Sequence, residues 1–84
     1  MQGLTEGRIV HFVLPDGKNK GHHRAAIVIR VFEGGVINLR VFTDFTNDYP
    51  AEEYYDNAGI VRASSVEFDE EEKLPGTWHW IERA

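Results

Sequence analysis

The stretch from Ala25 to Thr43, AAIVIRVFEGGVINLRVFT, constrains the fold more than any other part of the chain. Two apolar, β-branched runs flank Gly34-Gly35, and paired glycines take the positive φ angles of a tight two-residue β-turn without a Cβ penalty. The pattern predicts a β-hairpin. With its turn on Gly34 and Gly35, Val31 faces Asn38, Ile29 faces Arg40 and Ile27 faces Phe42. The other face then carries Val28, Arg30, Phe32, Ile37, Leu39 and Val41, and is expected to look into the core. Arg30 is the misfit on that face, because an unpaired buried guanidinium is too costly to keep. It is expected to meet Glu67 or Asp69, or to emerge at a rim.

The remaining segments read as further short strands. Arg8–Leu14 (RIVHFVL) ends at the turn Pro15-Asp16-Gly17, and its alternation puts Val10, Phe12 and Leu14 on one face. Gly59–Phe68 (GIVRASSVEF) is a strand with a bend or bulge near Ala63-Ser64-Ser65. Asp69–Glu72 is a solvated turn and Leu74-Pro75-Gly76 another, after which Thr77–Glu82 (TWHWIE) closes the fold with Trp78 and Trp80 on one face. Between Asp44 and Asn57 the alternation is lost, and Pro50 can open one short helical turn, PAEEYYD. Five to six short strands and no amphipathic helix predict one all-β domain over residues 1–84, a small antiparallel SH3-like barrel or strongly bent sheet.

Composition limits the functional classes. At 84 residues the chain buries only roughly 60–65% of its unfolded surface. With no cysteine there is neither a disulfide framework nor a thiolate zinc site, so a homo-oligomer is expected to cover the remaining apolar surface. Neither a signal peptide nor an apolar membrane span stands in the sequence, and a cytoplasmic protein is expected. The net charge of −5 divides into +3 over residues 1–42 and −8 over residues 43–84. That balance argues against a long nucleic acid, while a small anion needs only a local basic pocket.

Gly17–Arg24 (GKNKGHHR) supplies that pocket: flexible backbone beside Lys18, Lys20, His23 and Arg24, without the spacing of a Walker loop. The alternative is a solvated hairpin loop. Asn38 and Arg40 offer polar edges on the hairpin, and Trp78 or Tyr54 a stacking face for a base, although tryptophans at period two are more often core. His11, among apolar neighbours, reads as a core or rim histidine. The adjacent pair His22-His23 points to opposite faces and is a poor metal signal. Asp44, Asp48, Glu52 and Glu53 do not follow the EF-hand spacing. No nucleophile elbow, paired-carboxylate spacing or zinc signature marks an enzyme, so neither cofactor nor metal is expected.

With HFVLPDG, HRAAIVIR, NLRVFTD and PGTWHW in view, the chain resembles a family of small proteins encoded by tailed phages and prophages, over residues 11–82. It departs where the family tends to show HRPA (here His23-Arg24-Ala25-Ala26) and a glycine after TD (here Phe45). The resemblance implies the cytoplasm of an infected bacterial host, and either of two roles. One is a non-enzymatic protein that sequesters a small phosphorylated nucleotide, of the cyclic-nucleotide or cyclic ADP-ribose type, against host defence. The other is a virion or assembly protein acting as a protein-interaction module.

Overall fold

Where apolar and polar residues alternate, the chain forms strands, and the apolar set of each strand turns to one side. The computed structural model describes residues 1–44, 48, 55–56 and 59–82. Strands β1 (Ile9–Val13), β2 (His23–Val31), β3 (Ile37–Phe42), β4 (Tyr55–Asp56), β5 (Ile60–Val66) and β6 (Trp78–His79) form one sheet in the order β4-β5-β3-β2-β1-β6. Every neighbouring pair is antiparallel. The sheet then rolls up, because β6 also bonds to the chain just beyond β5. Trp78 N–H donates to the Glu67 carbonyl and Asp69 N–H to the Trp78 carbonyl, each at 2.9 Å, around a parallel bridge between Phe68 and Trp78.

The inner face holds Val10, Phe12 and Leu14 with Ala26, Val28, Ile37, Leu39, Val41, Val61, Val66 and Trp78, all buried. The Trp78 indole N–H donates to the Gly35 carbonyl at 2.7 Å, so the buried ring leaves no orphaned donor. The expected all-β barrel or bent sheet is therefore what the chain forms. A 3₁₀ turn spans Glu33–Gly35. Of the helical turn expected over PAEEYYD, residues 50–54 lie outside the described residues, whereas Tyr55–Asp56 form strand β4 against β5, so the chain is extended there and not helical. No helix of the described residues is long and apolar enough to cross a membrane.

The central hairpin departs from its expected register. Gly34 and Gly35 do take positive φ (72° and 80°), but within a three-residue 3₁₀ turn closed by Phe32 N–H donating to the Val36 carbonyl at 2.8 Å. Val31 consequently faces Ile37, Val28 faces Leu39 and Ile27 faces Arg40, with a register shift between Val28 and Arg30. Inserting one residue reverses the faces of everything beyond it. Val28, Ile37, Leu39 and Val41 keep the inward face, while Arg30 turns out to solvent and lies 4.8 Å from the Phe32 ring centroid. Neither Glu67 nor Asp69 is its partner; Asp69 instead accepts the Glu72 and Leu74 amides at 3.0 and 3.2 Å and caps its own turn. The irregularity expected in β5 is present: the register jumps between Ile37 and Leu39, Ser65 has φ 53°, and Asn38 Oδ1 accepts the Ser65 amide at 2.8 Å.

A charged clasp holds the loop after β3. Asp48 is buried and accepts Arg24 Nε at 2.7 Å and the far guanidinium nitrogen at 2.8 Å. It also accepts Asn19 Nδ2 at 3.0 Å and the Asp44 amide at 2.6 Å. These donors, Arg24 foremost, hold the Asp48 carboxyl well below its ordinary value despite the opposing effect of burial. A depressed folded pKa means stability present above the unfolded value near 3.9 and lost as pH falls toward the folded one. Asp48→Asn should cost about 3 kcal/mol at pH 7, as for breaking a buried pair. The gap to the parent should narrow in urea titrations at pH 3. A gap independent of pH contradicts the clasp.

Candidate metal centre

Strand alternation sends the residue after buried Trp78 to the outer face, and there it meets β1. His79 lies opposite His11, while Val13 opposite His23 places His23 diagonally across from His11. Three of the four histidines thus become neighbours, with ring centroids 4.5 Å (His23–His79), 5.6 Å (His11–His79) and 6.1 Å (His11–His23) apart. Three residues past His79, Glu82 reaches back over them. Its Oε1 lies 2.7 Å from His23 Nδ1, 3.0 Å from His79 Nε2 and 3.1 Å from His11 Nδ1.

Convergence of three imidazole nitrogens on one oxygen shapes the electrostatics. The hydrogen bonds from His23, His79 and His11 lower the Glu82 carboxyl to about 2, so it is anionic at any physiological pH. His79 is wholly buried, and desolvation pushes its imidazole below the usual value against the pull of Glu82. A neutral imidazole keeps the lone pair that a metal needs. His79 Nδ1 is buried with no hydrogen-bond partner among the described residues. An orphan of this kind costs about 1–3 kcal/mol, and is retained where the ring orientation serves something else.

The four donor atoms lie within 4.8 Å of one another. Three imidazoles and one carboxylate, with no thiolate, match the ligand set of a tetrahedral zinc site, with Zn–N of about 2.0–2.1 Å. An ion at the position of Glu82 Oε1 would require the nitrogens, now 2.7–3.1 Å away, to close in by about 0.6–1.1 Å while the carboxylate swings aside to become the fourth ligand. Glu82 sits beyond the last strand with its side chain 42% exposed. His11 and His23 are about one quarter exposed, leaving a route from solvent.

The basic pocket expected of Gly17–Arg24 is not assembled. Lys18 and Lys20 are exposed in the loop, His23 faces the histidine cluster, and Arg24 points to the opposite side, bound to Asp48. Trp78 is fully buried in the core and presents no stacking face to a ligand. Asn38 and Arg40 are half-buried on the outer face of β3, and Tyr54 lies outside the described residues. His11, expected as a core or rim histidine, is half-buried, and its ring lies against those of His23 and His79. His11, His79 and Glu82 escaped sequence reasoning because their proximity depends on β1 pairing with β6 across 68 positions. The outward alternation of His11 and His79 was the one signal available.

Compared with protein-family models, curated proteins and solved structures, the chain matches none. The site is read on its own geometry. In a ¹³C titration the Glu82 carboxylate should remain ionised at pH 3, far below an ordinary glutamate near 4.3. An ordinary midpoint would mean that the three imidazoles do not converge on it.

Proposed function

We propose that this domain is a non-enzymatic binding module that holds one divalent transition-metal ion, zinc by preference, through His11, His23, His79 and Glu82. The observation that carries it is the placing of three imidazole nitrogens within 3.1 Å of one carboxylate oxygen. Such a site joins β1, β2, β6 and the segment after it. In a small domain without cysteine a metal supplies the cross-link that disulfides give elsewhere. A setting inside phage-infected bacteria is part of the proposal on the sequence resemblance alone. Assembly of several copies belongs to it too, supported by exposed Ile29 and Phe32.

Calorimetric titration of chelator-treated protein with zinc should give one ion per chain. Saturation at ~100 times Kd should raise stability by about 2.7 kcal/mol. His23→Ala and Glu82→Gln should each weaken binding at least ~10-fold, the lower range for losing even an outer partner of a metal ligand. Zinc that binds equally well to a His11→Ala/His23→Ala variant contradicts the assignment.

A further inference from the structure

On the same outer face, Arg40 of β3, the strand next to the His23-bearing β2, lies directly opposite Arg62 of β5. Cross-strand partners have Cβ atoms about 4.5–5.5 Å apart, and like charges there destabilise the sheet. Neither arginine has an acidic or hydrogen-bonding partner among the described residues. Arg62 is exposed and Arg40 half-buried. Two polar groups adjoin them. Asn38, two residues before Arg40 on the same face, accepts the Ser65 amide through Oδ1, which leaves its Nδ2 hydrogens directed elsewhere. Ser64, two residues after Arg62, is exposed while Ala63 between them packs toward the core.

Phe42 completes the patch. It follows Arg40 by two positions, on the same face and about 6.6–6.8 Å further along the strand, and is 41% exposed. A pair of guanidinium groups with no acidic partner among the described residues, beside an exposed aromatic ring, matches an anion that carries a flat apolar body. Guanidinium forks suit the oxygens of a phosphate monoester, and the spacing to Phe42 suits an aromatic ring attached to it.

We infer that the outer face of β3 and β5 binds a small aryl or nucleoside phosphate, with the phosphate held by Arg40 and Arg62, polar contacts from Asn38 and Ser64, and the ring stacked on Phe42. This site is separate from the metal centre and needs no metal. It keeps the phosphorylated ligand expected from the sequence, and Arg40 and Asn38 with it. The phosphate donors move from Lys18, Lys20, His23 and Arg24 to Arg40 and Arg62, and the stacking ring from Trp78 or Tyr54 to Phe42.

The test is an amide chemical-shift titration of chelator-treated protein with phenyl phosphate, inorganic phosphate and sodium chloride at matched ionic strength. Phenyl phosphate should shift residues 38–42 and 62–64 and bind at least ~5-fold more tightly than inorganic phosphate, the lower bound for one stacked ring. Phe42→Ala should reduce phenyl phosphate to the affinity of inorganic phosphate and leave the latter unchanged. Arg62→Gln should weaken both at least ~10-fold. Its thermal midpoint without ligand should equal or exceed the parent's, since a like-charge contact is removed, which separates loss of binding from loss of fold. Equal affinity for the two phosphates, shifts no larger than with chloride, or an Arg62→Gln variant that binds as the parent does would each overturn the inference.

Discussion

The fold and its outer face both depend on where Trp78 is fixed. Its backbone bonds to the segment beyond β5 while it pairs with Phe12 of β1, and its indole N–H reaches the carbonyl of Gly35 in the central turn. Those contacts join the two ends of the sheet and tie both to the hairpin. Because successive side chains of a strand point to opposite sides, burying Trp78 forces His79 outward, against His11. Phe12 does the same for His11 on β1. The histidine cluster is thus a consequence of core packing, and a rigid core gives the imidazoles defined positions.

Charge is divided between the two sides of the sheet in the same way. Arg24 and His23 are neighbours in sequence, yet one serves the Asp48 clasp and the other the histidine cluster. Fully satisfied, the clasp makes a buried carboxylate tolerable and holds the loop after β3 against the loop before β2. On the outer face the groups are under-satisfied. Among the described residues His79 Nδ1 has no hydrogen-bond partner, three imidazoles share one carboxylate oxygen, and Arg40 faces Arg62. Natural domains concentrate such local conflicts where ligands bind, because the ligand resolves them.

Much of the architecture was legible in the sequence. Period-two alternation identified β1, β3, β5 and β6, turn residues located most boundaries, and the serine pair in β5 marked its bulge. The Gly34-Gly35 pair located the hairpin but not its register, since paired glycines fit a two-residue turn and a 3₁₀ turn alike. The bulge at Ile29 had a single, indirect signal: Ile29 is as apolar as its neighbours, and only the misfit of Arg30 on the inward face hinted that the faces could not continue unchanged. The site was less legible for a reason of distance. A cluster of cationic residues within eight positions is visible in a sequence, whereas His11, His23, His79 and Glu82 become neighbours only through a strand pairing between the two ends of the chain.

The central claim is that three imidazoles and a carboxylate on the outer face form one metal centre. X-ray absorption at the zinc edge of the loaded protein observes that ligand set directly. The account predicts about three nitrogen scatterers at ~2.0–2.1 Å with imidazole multiple scattering and one oxygen at a similar distance. A spectrum of oxygen ligands alone, or with a single imidazole, would contradict it.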